Sequence, residues 1–352
     1  MEIADIFRKA YEEKASDVHF MPGCPVMARI DRKLRVFSDT DMQESDMEKL
    51  FSFLLTKSQK KKLETAEEID EVITTSEQFR LHFNIYKQQG VHVAAVRILA
   101  SEIPSPSRLH IPEAVRELTR EQKGLILING AAGSGKSTTV ASLLKEIAAE
   151  EIKCIVTIED PVEYLIPRGK SMISQREIGK DVRSYAQAVR SSMRQNPDMI
   201  YIGELQDKET VLAAIMAAET GRLVISSLHT DKIEDSLHRL LAMFGNERKE
   251  EIRRRLADIL KGIVIKQLIP ADYGNGQRAV YEVMLAIPEI RKRITEGRFD
   301  QIVAVMEQSG ELGMLTMDDA LLAAYMKSEI SAETAMSAAS DAEKMKQKMR
   351  IY

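Results

Sequence analysis

The sequence predicts an α/β protein in which a domain with a parallel β-sheet follows a smaller mixed domain. After residue 112, short apolar runs alternate with helical stretches, which is typical of parallel strands that are buried on both faces. Before residue 100, helical periodicity is mixed with strands that alternate apolar and polar residues, which indicates a small antiparallel sheet. A glycine-rich loop joins the first apolar run of the larger domain to a helix, and this order is typical of a phosphate-binding loop.

A proline-rich segment separates the two predicted domains. Residues 103–112 read IPSPSRLHIP and contain three of the ten prolines in the chain. Because proline lacks a backbone N–H group and fixes φ, such a segment forms neither a helix nor a central strand. We therefore expect an N-terminal domain at residues 1–100, a linker at residues 101–112 and a C-terminal domain at residues 113–352.

Hydrophobic periodicity predicts the elements of each domain. In the N-terminal domain we expect helices near residues 3–10 and 41–62, and strands within residues 26–36 (turning at 31–33), 79–85 and 91–99. In the C-terminal domain, apolar runs predict buried strands at residues 125–128, 154–158, 199–202 and 223–225. Residues 331–352 are rich in alanine, lysine and methionine, and they predict a solvated outer helix.

The composition is that of an ordinary globular protein, with 44% apolar and 30% charged residues among 352. A net charge of -4 gives no support to a nucleic-acid binder, which usually shows a basic excess. Cys24 and Cys154 form no CxxC pair, which excludes a disulfide framework and a four-cysteine zinc site, and we expect buried, reduced thiols. We find no signal-peptide pattern and no apolar run near the roughly 20 residues of a membrane span.

The glycine-rich loop matches the pattern GxxxxGK[ST] at every position. Its residues are Gly130, Ala131, Ala132, Gly133, Ser134, Gly135, Lys136 and Ser137, and Thr138 follows in the helix. Glycines let successive N–H groups turn toward a phosphate, and the helix N-terminus adds donors and partial positive charge. In this pattern Lys136 reaches the β- and γ-phosphates, and Ser137 ligates Mg²⁺. The alternative is a glycine-rich turn with an accidental lysine.

Acidic residues follow two of the predicted strands, and a histidine follows a third. In chain order they are Glu159, Asp160, Glu163, Glu204 and His229. Because the carboxyl ends of parallel strands meet at one edge of a sheet, we expect these side chains beside the loop. Each has another interpretation, since an acid after a strand is often a helix cap or first-turn charge and a lone histidine is often structural. Three such strand ends together favour a hydrolytic site, which needs one group to position water and another to complete the metal shell.

Several segments around these residues resemble the motifs of one family, the type II/IV secretion ATPases. Residues 157–163 (TIEDPVE) resemble its aspartate box, residues 194–204 (RQNPDMIYIGE) its atypical Walker B segment and residues 220–230 (TGRLVISSLHT) its histidine box. Similar matches lie at residues 16–19 (SDVH), at Phe79-Arg80 with Val96-Arg97, and at residues 310–318 (GELGMLTMD). The last resembles the C-terminal signature of the pilus-retraction branch. The longer N-terminal region and four-cysteine insert of assembly and secretion members are not found, which also favours the retraction type.

The resemblance implies a fold, cofactors and partners. It implies a RecA-like P-loop ATPase domain of the α/β class, preceded by a small PAS-like α+β domain. It further implies a homohexamer that hydrolyses ATP with Mg²⁺, held through Ser137 with Glu159 and Asp160 as further metal candidates. The ring would lie in the cytoplasm, peripheral to the inner face of the cytoplasmic membrane. It would act on an inner-membrane pilus platform protein, and through it on pilin, to drive type IV pilus retraction and twitching motility.

The resemblance also implies roles for individual residues. Glu204 is the candidate that orients or activates water, Glu163 is a second candidate for polarising it, and His229 resembles the group that senses the γ-phosphate. Arg80 and Arg97 resemble arginines that reach a nucleotide bound mainly by another domain or subunit, a role that suits the fixed fork of the guanidinium. The alternative for these two is a solvated strand face.

Two departures from the family pattern leave other motors open. Gln206 stands where the family usually has arginine, and residues 286–297 (AIPEIRKRITEG) only loosely resemble the helix of the late retraction motif. A pilus-assembly or type II secretion ATPase is therefore an alternative. A nucleic-acid motor is a further one, against which the net acidity counts, and we expect no nucleic-acid partner. A nucleotide-binding regulator without hydrolysis is the last, and the intact Lys136, Glu204 and His229 argue against it.

Overall fold

A computed structural model describes residues 2–30, 33–65, 68–75, 79–99, 102–272 and 276–350. The chain divides into two compact units, Met1–Glu102 and Ile103–Tyr352. Of the predicted turn at residues 31–33, Asp31 and Arg32 lie outside the described residues. The predicted α/β class is confirmed, since helices and sheets occur in both units.

The first unit combines an antiparallel six-stranded sheet with helices. Its elements are α1 (Ile3–Glu12), β1 (Asp17–Phe20), β2 (Pro25–Ile30), β3 (Lys33–Asp41), α2 (Glu44–Leu54), α3 (Lys57–Leu63), β4 (Glu68–Thr74), β5 (Arg80–Gln88) and β6 (Val91–Leu99). The strand order is β3-β2-β1-β6-β5-β4, and each neighbouring pair is antiparallel. Strand β2 alternates half-buried and buried residues, as expected for a sheet with one face on a core.

The helix predicted over residues 41–62 is two helices. Thr56 interrupts it, because its hydroxyl accepts a hydrogen bond from the Gln59 N–H group while the Gln59 side chain accepts one from the Thr56 N–H group. This reciprocal capping box stabilises the start of α3. The strand pair predicted within residues 26–36 is confirmed, since β2 and β3 are joined in antiparallel register.

The second unit is built on a seven-stranded, mainly parallel sheet with helices. Its elements are α4 (Glu113–Leu118), β7 (Gly124–Asn129), α5 (Lys136–Glu150), β8 (Cys154–Glu159), β9 (Met172–Glu177), α6 (Tyr185–Ser192), β10 (Met199–Ile202), α7 (Lys208–Glu219), β11 (Leu223–Ser226), α8 (Ile233–Ala242), α9 (Asn246–Ile259), β12 (Leu260–Pro270), β13 (Gln277–Leu285), α10 (Pro288–Glu296), α11 (Ile302–Glu307), α12 (Met317–Met326), α13 (Ala332–Ala338) and α14 (Ala342–Arg350). The strand order is β13-β12-β7-β11-β10-β8-β9, and only the β12–β13 pair is antiparallel.

The four apolar runs of the sequence are the central parallel strands of this sheet. Every residue of β7, β10 and β11 is buried, which explains why these strands read as continuous apolar runs and not as alternating ones. Two hydrophobic clusters contain side chains of this sheet, one with α6 to α14 and one with α4 and α5. Helices on both faces therefore hold the strand ends in fixed positions.

The proline-rich segment packs within the second unit. Ile103 and Ile111 are buried in the hydrophobic cluster that includes α4 and α5. The Ser142 hydroxyl donates a hydrogen bond to the Pro104 carbonyl at 2.7 Å, and Lys145 Nζ donates one to the Ile103 carbonyl at 2.8 Å. Two donors of α5 therefore satisfy carbonyl groups that no regular secondary structure satisfies.

The prediction of one solvated outer helix at the C-terminus is wrong. The segment forms two helices, α13 and α14, and the side chains of Ala335 and Met345 are fully buried in the larger hydrophobic cluster. The Asp318 carboxylate accepts hydrogen bonds from the backbone N–H and the hydroxyl of Ser340, which lies between the helices. The chain turns at this point, so the apolar residues of both helices can pack inward. Cys24 and Cys154 are free thiols, as predicted, but they are half-buried and not buried.

Candidate functional site

The carboxyl ends of four neighbouring strands meet at one edge of the second sheet. The strands β7, β11, β10 and β8 are adjacent and parallel, so the segments that follow them lie side by side. The glycine-rich loop follows β7, His229 follows β11, Glu204 follows β10 and Glu159 ends β8. The residues that the sequence places after separate strands therefore lie at one edge, as topology requires in an open parallel sheet.

The glycine-rich loop runs from the end of β7 to the N-terminus of α5. Gly130 and Gly135 have φ angles of +151° and +81°, which favour glycine. A Cβ atom at Gly130 would lie 2.4 Å from the Lys266 carbonyl oxygen, and one at Gly135 would lie 2.8 Å from Lys266 Nζ. The buried Ser134 hydroxyl has no hydrogen-bond partner among the described residues. A tight glycine turn with an unsatisfied hydroxyl at a helix N-terminus fits an anionic ligand such as a phosphate.

Lys136 is the first residue of α5 and folds back over the loop. Its Nζ atom donates hydrogen bonds to the carbonyl oxygens of Gly130 at 2.9 Å and Ala131 at 3.1 Å. Burial lowers the pKa of Lys136, while the charges of Glu204 and Glu163 act in the opposite direction. The lysine is therefore held at the mouth of the loop and faces two of the predicted acids.

His229 connects the loop lysine to the acid that follows β10. Its Nδ1 atom lies 3.1 Å from Lys136 Nζ, and its Nε2 atom lies 3.2 Å from Glu204 Oε2. A neutral imidazole that accepts at Nδ1 and donates at Nε2 satisfies both contacts. The His229 side chain is 41% exposed and that of Glu204 is 18% exposed, so this lysine–histidine–glutamate chain is open to a ligand at the histidine.

Hydrogen bonds between the strand ends fix the positions of this chain. The Asn129 side chain accepts a hydrogen bond from the Leu228 N–H group at 2.8 Å, beside His229. The Ser227 hydroxyl donates to the Gly203 carbonyl at 2.6 Å, beside Glu204. His229 and Glu204 thus each follow a backbone group that is hydrogen-bonded to a neighbouring strand end.

The acids after β8 lie at the same edge. The Thr157 hydroxyl donates a hydrogen bond to Glu159 Oε1 at 2.6 Å, and the Gln175 side-chain amide donates to the same oxygen at 3.2 Å. Burial raises the pKa of the Tyr185 hydroxyl, and the charges of Asp160, Glu204 and Glu159 raise it further. The loops after β8 and β10 therefore concentrate negative charge next to the positively charged mouth of the glycine-rich loop.

The residues present fit a magnesium ion only when it is shared with a phosphate ligand. Among the described residues, no group of three or more His, Cys, Asp or Glu side chains could hold a metal ion by itself. Mg²⁺ usually keeps several waters and takes one or two protein oxygens together with substrate phosphates. Ser137 is half-buried as the second residue of α5, where its hydroxyl can supply such an oxygen.

Arg80 and Arg97 lie on neighbouring strands of the first unit and differ in exposure. Arg80 begins β5 and is only 7% exposed. The Arg97 side chain on β6 is 60% exposed, and its Nε atom lies 3.3 Å from Asp17 Oδ1. The solvated face that we considered for both arginines applies to Arg97 alone.

The two regions that depart from the family pattern make defined local contacts. Gln206 Nε2 lies 3.3 Å from Glu204 Oε2, so an uncharged donor occupies the position where a family arginine would bring a charge. Residues 288–296 form helix α10, which buries Ile290 and Ile294. Arg291 in this helix donates hydrogen bonds to carbonyl oxygens near the end of α9, including that of Leu260 at 2.7 Å.

The sequence analysis missed residues on β12 and β13 that lie against the loop. Lys266 is buried, and its Nζ atom donates hydrogen bonds to the Gly135 carbonyl and the Thr139 hydroxyl, each at 2.9 Å. The Tyr281 hydroxyl lies 3.4 Å from the Thr139 hydroxyl and donates to the Leu109 carbonyl at 3.1 Å. A signal was present, since Lys266 is the single charged residue of the apolar run 263–269.

A cavity of about 130 Å³ adjoins Tyr281. Arg278, His110, Lys327 and Glu329 are among the residues that line it. Arg278 Nε donates a hydrogen bond to Glu329 at 2.7 Å, whereas its buried Nη1 atom has no partner among the described residues. Burial lowers the pKa of His110, and the charge of Arg278 lowers it further. The cavity therefore presents a planar cation and a largely neutral imidazole on the β13 side of α5.

Comparison with known proteins identifies the family of this chain. The sequence profile of one family, described as type II/IV secretion system protein, matches residues 2–348. The chain is 32% identical over 335 residues to the type IV pilus retraction ATPase PilT of Pseudomonas aeruginosa, covering 95% of this chain and 97% of that protein. It is 31% identical over 322 residues to a twitching motility protein of Neisseria gonorrhoeae, covering 92% and 86%. A crystal structure of the pilus retraction motor PilT with bound ADP is similar with a TM-score of 0.89 and 36% identity, covering 99% of both chains. The chain belongs to the type II/IV secretion system protein family.

Proposed function

We propose that this protein is an ATP hydrolase that drives type IV pilus retraction. The observation that carries the proposal is the chain of contacts from Lys136 through His229 to Glu204 at the mouth of the glycine-rich loop. One histidine lies within hydrogen-bond distance of both a lysine of the loop and a carboxylate. In this proposal the second unit is the RecA-like P-loop ATPase domain, and the first unit is the PAS-like domain.

Nucleotide binding begins with the loop. The phosphates accept hydrogen bonds from the backbone N–H groups of residues 131–138, at the N-terminus of α5. Lys136 exchanges its bonds to the Gly130 and Ala131 carbonyls for bonds to the β- and γ-phosphates. The Ser134 hydroxyl then gains the partner that it lacks among the described residues.

When bound, Mg²⁺ would neutralise phosphate charge, and Ser137 would hold it, with Glu159 and Asp160 as further candidates. Glu159 is already oriented by Thr157 and Gln175, which suits contact through a water ligand of the ion. Neither acid could hold the ion without the substrate, so metal binding and ATP binding are coupled at this site.

The base and ribose of the nucleotide extend toward β13. Tyr281 lines the cavity there, and its hydroxyl lies 3.4 Å from that of Thr139 in α5, the helix that follows the loop. The planar guanidinium of Arg278 can stack on a purine, and its free Nη1–H group can donate to a ring nitrogen.

Glu204 is the residue that orients or activates the attacking water. Its carboxylate accepts from His229 and Gln206, which fixes one oxygen and leaves the other for water. His229 contacts both Lys136 and Glu204, so a γ-phosphate that displaces the lysine is sensed at the carboxylate. Glu163 acts through its charge on the same lysine as the second polarising acid.

The chain works as a homohexameric ring at the inner face of the cytoplasmic membrane. Arg97, and with it Arg80, contributes positive charge to a nucleotide bound on a neighbouring subunit, and the exposure of Arg97 supports its role more strongly. The ring acts on a pilus platform protein of the membrane, which returns pilin to the membrane. The matched coverage of this chain and PilT supports retraction among the outputs of the family.

Deletion of the gene in its native host tests this proposal. We expect cells that extend pili but do not retract them, visible as immobile labelled filaments and lost twitching. Wild-type protein supplied in trans restores retraction, and the Lys136→Ala variant does not, because its loop cannot hold the phosphates. Loss of all pili on deletion would instead indicate an assembly motor, and ATPase activity stimulated by DNA would indicate a nucleic-acid motor.

A further inference from the structure

A second lysine lies beneath the glycine-rich loop, on the side that faces the sheet. Lys266 is the seventh residue of β12, one position beyond the pairing of Ile265 with Asn129 at the end of β7. This register places the Lys266 backbone against Gly130. A Cβ atom added to Gly130 would lie 2.4 Å from the Lys266 carbonyl oxygen. Its side chain turns under the loop, and the residue is only 2% exposed.

The ammonium group of Lys266 has polar neighbours but no counter-ion. It donates to the Gly135 carbonyl and the Thr139 hydroxyl, and it lies 5.7 Å from the centre of the Tyr281 ring. No carboxylate among the described residues forms an ion pair with it. Burial lowers the pKa of Lys266 to about 8, and no neighbouring charge is found to oppose this effect. An isolated buried cation is costly unless a partner compensates it.

The contacts of Lys266 are not required by the groups that accept them. The Gly135 carbonyl also accepts the first backbone hydrogen bond of α5, from the Thr139 N–H group at 3.0 Å. The Thr139 hydroxyl has the Tyr281 hydroxyl as a second partner. Removing the ammonium group would therefore leave the Gly135 carbonyl and the Thr139 hydroxyl each with another hydrogen-bond partner, so satisfying the loop does not explain the charge.

We propose that Lys266 is a second cationic residue of the phosphate site, a positioning residue whose missing counter-ion is the polyphosphate of the nucleotide. Lys136 contacts the Gly130 and Ala131 carbonyls at the mouth of the loop. Lys266 contacts the Gly135 carbonyl and the Thr139 hydroxyl, where the same loop enters α5. The proposal rests on the proposed nucleotide site and adds to it a charge that lies beneath the loop. Because the interaction is electrostatic, it grows with the charge of the ligand, and ATP gains more from it than ADP.

Two substitutions of Lys266 separate this role from a structural one. Lys266→Met keeps the length of the apolar stem, and Lys266→Gln keeps a hydrogen-bond donor, while both remove the charge. Lys261→Met is the matched control, because Lys261 lies at the other end of β12 and pairs with Glu121 at 2.9 Å. The dissociation constants of a fluorescent ADP and of ATP, by competition, are measured for each full-length protein at pH 7.

For both Lys266 variants we expect ATP affinity to fall about ten- to thirtyfold and ADP affinity about three- to tenfold, with a smaller change in kcat than in KM. The melting temperature without nucleotide should be unchanged or higher, because an unpaired buried cation has been removed. Lys261→Met should bind both nucleotides like the wild type.

Two results would overturn the inference. One is wild-type affinity for both nucleotides in either Lys266 variant. The other is an equal loss for ATP and ADP together with a lower melting temperature, which indicates a distorted loop. A wild-type protein that binds neither nucleotide contradicts the proposed function itself, so the two failures are distinguishable.

Discussion

The candidate site contains a lysine whose ammonium group is hydrogen-bonded to carbonyl groups of its own loop. Lys136 is buried enough for its pKa to be lowered, and it is surrounded by the Gly130 and Ala131 carbonyls and by His229. A phosphate that arrives at the loop offers this lysine a full negative charge in place of two neutral carbonyls. His229 lies between Lys136 and Glu204, so a change at the lysine reaches the carboxylate through one side chain.

Glu204→Gln tests the chemistry at this scale. We expect ATP binding close to that of the wild type and a fall in kcat of about 10²- to 10⁴-fold, because the amide cannot accept a proton from water. Steady-state phosphate release and equilibrium nucleotide binding provide the two measurements. Glu209→Gln is the control, since Glu209 is an exposed acid in the first turn of α7. Turnover at the parental rate in Glu204→Gln would show that another group handles the water.

At the scale of elements, parallel strand pairing is what assembles the site. The sheet orders β7, β11, β10 and β8 side by side, although they are separated in the chain by helices. Strand β12 extends the parallel arrangement on the other side of β7 and delivers Lys266 beneath the loop. Strand β13 then closes the sheet as an antiparallel edge and carries Arg278, Tyr281 and a buried acid, Glu282.

Glu282 makes stability depend on pH. Burial raises the pKa of Glu282 to about 7, against an ordinary value of 4.5, and the charge of Asp318 adds to the rise, while a backbone hydrogen bond at Met317 acts against it. Between about pH 4.5 and 7 the folded state therefore holds a proton that the unfolded state has released. The contribution of this protonated carboxyl to the free energy of unfolding is complete below about pH 4.5 and is lost as the pH rises through about 7.

Glu282→Gln should remove this dependence. We expect the variant to be more stable than the wild type by about 1–3 kcal/mol at pH 8, with a gain that shrinks toward pH 4.5. Urea denaturation at several pH values measures the free energy of unfolding. The exposed Glu311 supplies the control variant Glu311→Gln, which should follow the wild type. A gain that is equal at pH 5 and pH 8 would rule out the ionisation of Glu282 as its cause.

At the scale of the whole molecule, the chain has two compact units, and the arginines and the phosphate loop lie in different ones. No helix in the described part of the chain is long and apolar enough to cross a membrane. In the proposed ring, a residue of one subunit would lie at the nucleotide site of its neighbour.

Mixed rings test whether Arg97 acts on a neighbouring subunit. Arg97→Ala alone should lower turnover by about tenfold or more, as expected when an arginine that stabilises transferring phosphate is lost. Mixing it with Glu204→Gln subunits should restore part of the activity, because some sites then combine an intact Glu204 with an intact Arg97 from the neighbour. Phosphate release across mixing ratios provides the measurement.

Asp17→Ala is the control for this experiment, since it removes the ion pair with Arg97 and a hydrogen bond from the Ser16 hydroxyl but keeps Arg97 itself. This variant should retain most of the activity. Mixed rings that never exceed the activity of the separate variants would refute a role in trans.

The sequence by itself determined the glycine-rich loop, the strands around it and the acids at their ends. Those features depend on local patterns: glycine spacing, continuous apolar runs and the residues that follow them. The loop pattern and strand runs recur in the structure as β7, α5, β8, β10 and β11. The sequence analysis missed the break between α2 and α3 at Thr56 and the division of the C-terminal segment into α13 and α14. A capping hydrogen bond at Thr56 and a turn at Ser340 interrupt these otherwise periodic segments.

Only the tertiary structure decided which residues meet. Lys266 is 130 residues from Lys136 in the chain, and strand pairing rather than spacing places it under the loop. The sequence treats Arg80 and Arg97 alike, whereas burial in the sheet distinguishes them. Long-range register and burial are properties of the packed sheet, so periodicity cannot predict them. They bring His229 and Glu204 next to Lys136 at the mouth of the glycine-rich loop, and they bring Lys266 to the side of the loop that faces the sheet.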